Sequence, residues 1–159
     1  MKNNYLPLIM ATALLLVSNG VAYCDNLLAY EETVTLIKET MLSSTSDLRK
    51  ESYGSIKFDK CSLNYSVSGT YPIGELYDIN FSNIDFSSLR QRESKTGHDY
   101  TAFIILNFNN YFRSKSDFKN TTNRTLVINV STDEKAQLLF KAFLHLGELC
   151  ATQKSPLQP

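Results

Sequence analysis

The stretch STDEKAQLLFKAFLHLGELC, residues 131–150, has the pattern of an amphipathic helix with a defined start. Ser131 and Glu134 have the spacing of a capping box, in which two side chains hydrogen-bond amide groups of the first turn. The apolar residues recur every three or four positions and therefore share one stripe: Ala136, Leu139, Phe140, Phe143, Leu146, Gly147 and Cys150. Because two phenylalanines on one face need a large apolar surface to cover them, the helix predicts a sheet beside it.

The middle of the chain has the period-two pattern of β-strands. Alternation over residues 61–67 predicts a half-buried strand with Cys61 on its apolar side. Residues 100–108 are the most apolar strand candidate, and residues 126–130 form a β-branched strand that leads into the C-terminal helix. Residues 84–89 have the pattern of a corner. These spacings together predict an antiparallel meander.

Three more polar stretches connect these strands. Residues 90–99 are predicted to form a loop between strands, and residues 120–124 are predicted to form a turn. The run from Tyr111 to Phe118 is a candidate for a further strand.

A second amphipathic helix is predicted near the N-terminus, with Asn26 or Asp25 as its cap. Its apolar residues keep the helical spacing: Leu27, Tyr30, Val34, Ile37 and Met41. The opposite face is acidic, which argues against binding to an anionic membrane surface. We therefore expect this helix to pack on its own domain.

The first residues have the pattern of an export signal, with Lys2 followed by an apolar run from Leu6 to Val17 that is too short to span a bilayer. Cleavage fits after Ala22 or after Cys24. We expect residues 1–24 to be a signal peptide, residues 25–150 to form one domain, and residues 151–159 to be a disordered tail. The mature protein would then be periplasmic or secreted.

The three cysteines are an odd set for an exported chain. Cleavage after Cys24 leaves Cys61 and Cys150 to pair, whereas cleavage after Ala22 leaves Cys24 free for an intermolecular bond. A third alternative is a lipoprotein acylated at Cys24, because residues 21–24 partly resemble a bacterial lipobox. Membrane attachment is expected only in that third case.

The order of motifs resembles small exported bacterial domains of unknown function whose fold is a pleckstrin-homology-like (PH-like) roll. The resemblance covers residues 51–150 and is carried by residues 61–65, the corner at 84–89, and the final HLGELC of the helix. It implies a curved antiparallel sheet, or partly closed roll, capped by the C-terminal amphipathic helix. With the additional N-terminal helix, the predicted fold class is α+β.

The resemblance also implies that Cys61 pairs with Cys150. Both cysteines lie on the apolar sides of their predicted elements, and export to an oxidising compartment favours a disulfide over two buried thiols. No Cys-x-x-Cys spacing is present, which argues against a redox-active pair.

His98, Asp99 and His145 are the candidates for catalysis. A His–Asp pair could activate a serine, but the chain has no Gly-x-Ser-x-Gly motif, and the histidines lack further ligands at metal-site spacing. The sequence therefore predicts no catalytic residue, cofactor or metal site. A hydrolase that uses His98 and Asp99 remains an alternative.

Charge is balanced, with 16 basic and 16 acidic residues, so no nucleic-acid partner is predicted. Two local basic clusters stand out: Arg90, Arg92 and Lys95, and more loosely Arg113, Lys115, Lys119 and Arg124. By analogy of fold, such positions in a PH-like roll can bind phosphate headgroups. We predict a non-catalytic binding or interaction module whose partner is a protein or an envelope component. The alternatives are the hydrolase and the lipoprotein described above.

Overall fold

A computed structural model describes residues 29–46, 50–69, 74–96, 99–116 and 119–152. The chain divides into two compact units, Met1–Glu32 and Thr33–Pro159. Of the first unit, only the helical residues 29–32 are described. The predicted signal peptide, Cys24, and the predicted tail beyond residue 152 therefore lie outside the described residues.

The described chain contains two helices and seven strands. Helix α1 covers residues 29–42 and helix α2 covers Asp133–Thr152. The strands are β1 Thr45–Ser46, β2 Glu51–Asp59, β3 Ser62–Ser68, β4 Glu75–Asn80, β5 Arg90–Thr96, β6 Asp99–Lys115 and β7 Asn120–Val130. Two 3-10 turns, Phe81–Asn83 and Phe86–Ser88, lie between β4 and β5, and the second falls within the corner predicted over residues 84–89.

The strands pair antiparallel in one sheet that is built around β6. Strands β1, β2, β3, β4 and β6 follow one another across the sheet, and β5 and β7 both pair with β6 as well. Strand β7 pairs with one edge of β6 along most of its length, so β4 and β5 share the other edge. Between them, the corner meets β6 through an isolated bridge from Ile84 to Phe108. No backbone pairing closes the sheet between β7 and the β1–β2 edge among the described residues.

Helix α2 packs its apolar stripe against the sheet, as predicted. Phe143 of α2 stacks on Phe81, with ring centroids 5.1 Å apart and planes within 4°. Phe81 meets Phe108 edge to face, and Phe108 meets Phe112 in the same way. This run of rings extends the core from the helix along β6. The predicted α+β fold, with an antiparallel sheet, a packed C-terminal helix and an N-terminal helix, is confirmed.

The prediction of a loop over residues 90–99 was wrong, because Arg90–Thr96 form β5 and Asp99 begins β6. The two strands pair from Arg90 with Ile105 to Thr96 with Asp99. Strand β5 has one pairing neighbour in the described sheet, and a strand at an edge can be polar because backbone hydrogen bonds hold it in place. Its sequence therefore carries little apolar alternation.

The prediction of a turn over residues 120–124 was also wrong, because these residues begin β7. They pair with the end of β6, for example Asn120 with Lys115 and Asn123 with Phe112. The turn lies just before them, where the amides and carbonyls of Ser116 and Lys119 exchange two hydrogen bonds. Asn favours turns locally, and cross-strand pairing overrides that preference, whereas the β-branched Thr is itself common in strands. The candidate strand near Tyr111 is the continuation of β6.

The prediction of a capping box between Ser131 and Glu134 was wrong, because α2 begins at Asp133 and its third residue is Lys135, whose side chain has no acceptor to return the bond. The backbone amide of Lys135 donates to Thr132 Oγ1 at 3.2 Å, so Thr132 caps the helix instead of Ser131. Hydrogen bonds from the backbone amide of Glu134 itself and from the Thr132 hydroxyl lower the pKa of the Glu134 carboxyl. Glu134 thus still contributes a negative charge to the first turn, where the helix dipole favours it.

Candidate functional site

The predicted disulfide between Cys61 and Cys150 is present. It joins residues 89 positions apart, with 5.8 Å between the Cα atoms. Cys61 lies in the tight turn between β2 and β3, one residue before β3 begins, although the sequence placed it within that strand. Cys150 lies near the end of α2. The bond fastens the end of the helix to the sheet, and both residues are buried.

Of the three residues considered for catalysis, only His145 has a described side chain. His98 lies outside the described residues, and Asp99 begins β6 without a described side chain. His145 lies on the exposed face of α2, with its Nδ1 3.8 Å from a carboxylate oxygen of Glu148. In the described part of the chain, no group of three or more His, Cys, Asp and Glu residues could hold a metal ion. No described helix has the length and apolar character needed to cross a membrane.

The looser basic cluster comes together on the solvent face of β4, β6 and β7. Tyr77 pairs with Arg113, and Arg113 pairs with Thr122, so these side chains share one face of the sheet. A groove of about 690 Å³ runs along this face. We call the following residues the basic strip: Tyr77, Tyr111, Arg113, Lys115, Lys119 and Arg124. Its four cations are exposed, whereas Arg90 and Arg92 of the other cluster lie apart on β5.

Two contacts hold the arginines of the basic strip in place. The Asp78 carboxylate accepts a hydrogen bond from Arg113 Nε at 2.7 Å and lies 2.5 Å from Nη2. Asp78 has a left-handed backbone, with φ of 61°, and its amide donates to Asn64 Oδ1 at 2.7 Å. The guanidinium carbon of Arg124 lies 4.2 Å from the ring centroid of Tyr111. Stacking of this kind orients a guanidinium while leaving its N–H donors available at the edge.

The second carboxylate near the strip belongs to Glu75. It accepts a hydrogen bond from the Tyr77 hydroxyl, and this bond to the carboxylate is the main reason that the pKa of Tyr77 is raised. Among the described residues, the strip therefore combines four cations with only these two neighbouring carboxylates, of Glu75 and Asp78. The result is a concave, net basic face that carries two aromatic rings.

A second concavity, the inner cleft, lies inside the curved sheet beyond the phenylalanine core. It has a volume of about 390 Å³. The polar lining includes Glu51, Tyr53, Tyr65, Ser114, Asn123 and Thr125, and the apolar lining includes Val67, Leu76, Phe112 and Leu126. Apolar walls with a few converging polar groups are the usual composition of a small-molecule site.

Polar side chains of the inner cleft connect β2 to β7 across the open seam, which is the gap where these two strands form no backbone pairing. The Tyr53 hydroxyl donates to the backbone oxygen of Asn129 at 2.8 Å and accepts from its amide at 2.9 Å. The Asn129 side chain donates from Nδ2 to Glu51 Oε2 at 2.7 Å. All three residues are buried. Tyr53 thus takes the place of a strand partner at this edge of β7.

Tyr65 is the other buried tyrosine of the inner cleft, with 3% of its surface exposed. Its ring meets Tyr53 edge to face at 5.9 Å. Its hydroxyl makes no hydrogen bond to another residue in the described ranges. Burial, and to a lesser degree electrostatic interactions with Tyr53 and the Glu51 carboxylate, raises the pKa of Tyr65 well above the usual value for tyrosine.

Sequence analysis did not identify the inner cleft. Glu51 is charged and stands at the start of its strand, so nothing in the sequence indicated that it is buried. The alternation that places Tyr53 inward is interrupted at Ser55, a left-handed residue where the pairing of β2 with β3 shifts register. The only available signal was the two-residue spacing of Glu51 and Tyr53.

Comparison of the chain with models of protein families, with curated proteins and with solved structures finds no match.

Proposed function

We propose that the protein is an exported, non-catalytic binding module that binds an acidic polysaccharide of the cell envelope through the basic strip. The observation that carries the proposal is a groove lined by three exposed cations and Tyr77, with the stacked pair of Arg124 and Tyr111 on the same face of the sheet. The Cys61–Cys150 disulfide supports a periplasmic or secreted location, because such bonds persist in oxidising compartments. The resemblance to exported PH-like domains is consistent with this role but contributes only by analogy.

The chemistry of the strip matches a sugar chain that carries phosphate, sulfate or carboxylate groups. Arginine and lysine bind such anions through charge-assisted hydrogen bonds. Tyrosine offers a flat apolar ring and a polar hydroxyl, which suit the faces and edges of sugars. Arg113 and Lys115 lie two residues apart on one strand, so their Cα atoms are about 7 Å apart along the groove. Anionic groups repeated along a polymer can engage such a row together.

The shape of the strip favours a polymer over a membrane surface. A groove encloses an extended chain, whereas a flat bilayer would contact only its rims. The stacking of Arg124 on Tyr111 also covers ring area that a nucleic-acid base would need.

The direct test is a binding titration with fluorescein-labelled dextran sulfate, followed by fluorescence anisotropy. We expect the K115Q/R124Q variant to bind roughly tenfold more weakly than the wild type, because two charge-assisted contacts are removed. The matched control is R90Q/R92Q, which removes two exposed arginines from β5 and leaves the strip intact. We expect the control to change affinity by less than about threefold.

Several outcomes would overturn the proposal. If both double variants weaken binding of dextran sulfate equally, the effect comes from net charge and not from the basic strip. If neutral dextran binds as tightly as dextran sulfate, the cations do not contribute to binding. Tighter binding of single-stranded oligothymidylate or of anionic lipid vesicles than of dextran sulfate at the same ionic strength would reassign the strip to another partner.

Export is tested separately by the intact mass of the mature protein, with and without reductant. We expect the mass of a chain that starts at Tyr23 or Asp25. This mass should increase by that of two hydrogen atoms when the Cys61–Cys150 bond is reduced. A lipid adduct on Cys24 would instead support the lipoprotein alternative. Recovery of the unprocessed chain from the cytoplasm would contradict export.

A further inference from the structure

The inner cleft has a chemistry that the basic strip does not share. One wall carries the carboxylate of Glu51, and the adjoining wall carries the hydroxyl of Tyr65. The side chains of Phe112 and Leu126 provide an apolar surface beside them. A ligand that fits must therefore combine a polar head with an apolar body.

The hydroxyl of Tyr65 points to a ligand. Buried hydroxyl groups nearly always have a hydrogen-bond partner, because leaving one unpaired costs free energy. Tyr65 is 3% exposed, lines the cleft, and has no such partner among the described residues. By contrast, the hydroxyl of the neighbouring Tyr53 makes two hydrogen bonds with the backbone of Asn129. The contrast singles out Tyr65 as the group that can receive a ligand atom.

The described lining of the inner cleft carries a net negative charge. It contains two carboxylates, of Glu51 and Glu75, and one ammonium group, of Lys115. Lys115 is exposed, whereas Glu51 is 4% exposed and its carboxylate is held by the amide of Asn129. The negative charge of Glu51 also contributes to the raised pKa of Tyr65, so it acts on the space beside that hydroxyl. A positive group placed there would be stabilised, since charges interact more strongly away from bulk water.

We propose that the inner cleft binds a small primary amine, with its ammonium group between Glu51 and Tyr65 and its apolar body against Phe112. A primary ammonium group has three N–H donors, so it can donate both to the carboxylate and to the hydroxyl oxygen. Tyrosine rings add attraction for a cation near their faces. This inference is independent of the basic strip, whose expected ligand is anionic.

The test uses the full chain and three probes of matched length: hexylamine, 1-hexanol and hexanoate. Amide chemical shifts of the ¹⁵N-labelled protein are followed during each titration. We expect saturable binding of hexylamine with shifts centred on Tyr65, Phe112 and Asn123, and at least roughly tenfold weaker binding of hexanol, because it lacks the charge. Hexanoate should not bind. Equal binding of amine and alcohol, shifts elsewhere only, or no saturable binding of hexylamine would overturn the proposal.

Two variants locate the amine within the cleft. Glu51→Gln keeps an oxygen acceptor for Asn129 but removes the charge, and we expect it to weaken hexylamine binding roughly tenfold. Tyr65→Phe should weaken it several-fold. The control Glu148→Gln makes the same charge change on the exposed face of α2 and should leave affinity unchanged. Equal loss in the control would overturn the assignment, and the three wild-type titrations decide the matter if Glu51→Gln does not fold.

Discussion

The bridge across the open seam predicts a large effect from the loss of one oxygen atom. In Tyr53→Phe, the hydroxyl that hydrogen-bonds both the amide and the carbonyl of Asn129 disappears. Each buried hydrogen bond contributes about 1 kcal/mol net, and a buried group left unpaired costs about 1–3 kcal/mol. Both groups of Asn129 are buried and would lose this partner. We therefore expect the free energy of unfolding to fall by about 2–3 kcal/mol.

Urea unfolding and thermal melting measure this change, and Tm should fall by roughly 6–12 °C for a domain of this size. Hydrogen exchange gives a local reading, because the Asn129 amide should exchange roughly 30-fold faster for a loss of about 2 kcal/mol.

Tyr65→Phe is the matched control for Tyr53→Phe. It removes the same atom from the neighbouring ring, where the hydroxyl has no hydrogen bond to another described residue, so the free energy of unfolding should not fall and can rise. If Tyr53→Phe is as mild as Tyr65→Phe, or if the Asn129 amide keeps its protection, the hydroxyl does not bridge the seam.

Three further changes have defined outcomes. Cys150→Ser should lower the free energy of unfolding by up to about 4–5 kcal/mol, because the bond closes a loop with a separation of 89 residues. An equal melting temperature of the wild type with and without reductant would contradict this. Gly74→Ala should cost more than about 2 kcal/mol in urea unfolding, since a Cβ there would lie 1.7 Å from the carbonyl oxygen of Lys115; Gly54→Ala, whose Cβ would come no closer than 3.2 Å to its nearest neighbour, should be much milder. Because the pKa of Glu134 is lowered by folding, its ionised form stabilises the fold at neutral pH, and this contribution is lost as the pH falls through the folded pKa. Glu134→Gln should therefore lose less stability than the wild type between about pH 6 and pH 3, and identical losses would show that the carboxylate has no such effect.

Much of the fold could be predicted because its signals are local. The apolar stripe of α2 repeats with the helical period, and its buried residues, such as Leu139 and Phe143, lie where the pattern places them. Strand β3 follows from alternation in the same way. The predictions failed for residues 90–99 and 120–124, where polar side chains sit in strands because β6 offers backbone partners. The sequence pattern of a short segment does not show whether a distant strand is available for backbone pairing.

The candidate sites depended still more on the tertiary structure. The sequence identified the four cations of the basic strip as a loose group, but the pairing of Arg113 with Tyr77 and Thr122 is what places them on one face. Asp78 pairs with Arg113 and has a left-handed backbone, and no local pattern in the sequence indicated either feature.

The C-terminal helix and the strand that carries alternating apolar residues were determined by the sequence, because hydrophobic periodicity operates within short stretches of chain. The pairing of Cys61 with Cys150 could be expected because each lies on the apolar side of its predicted element, but the contact joins residues 89 positions apart and is made by the tertiary structure. The inner cleft was decided by tertiary structure. Tyr53 and Asn129 are separated by 76 positions, and their meeting depends on how far the whole sheet curves. Curvature accumulates from the twist and bulges of every strand, and the buried carboxylate of Glu51 acquires its role only when that curve brings β2 against β7.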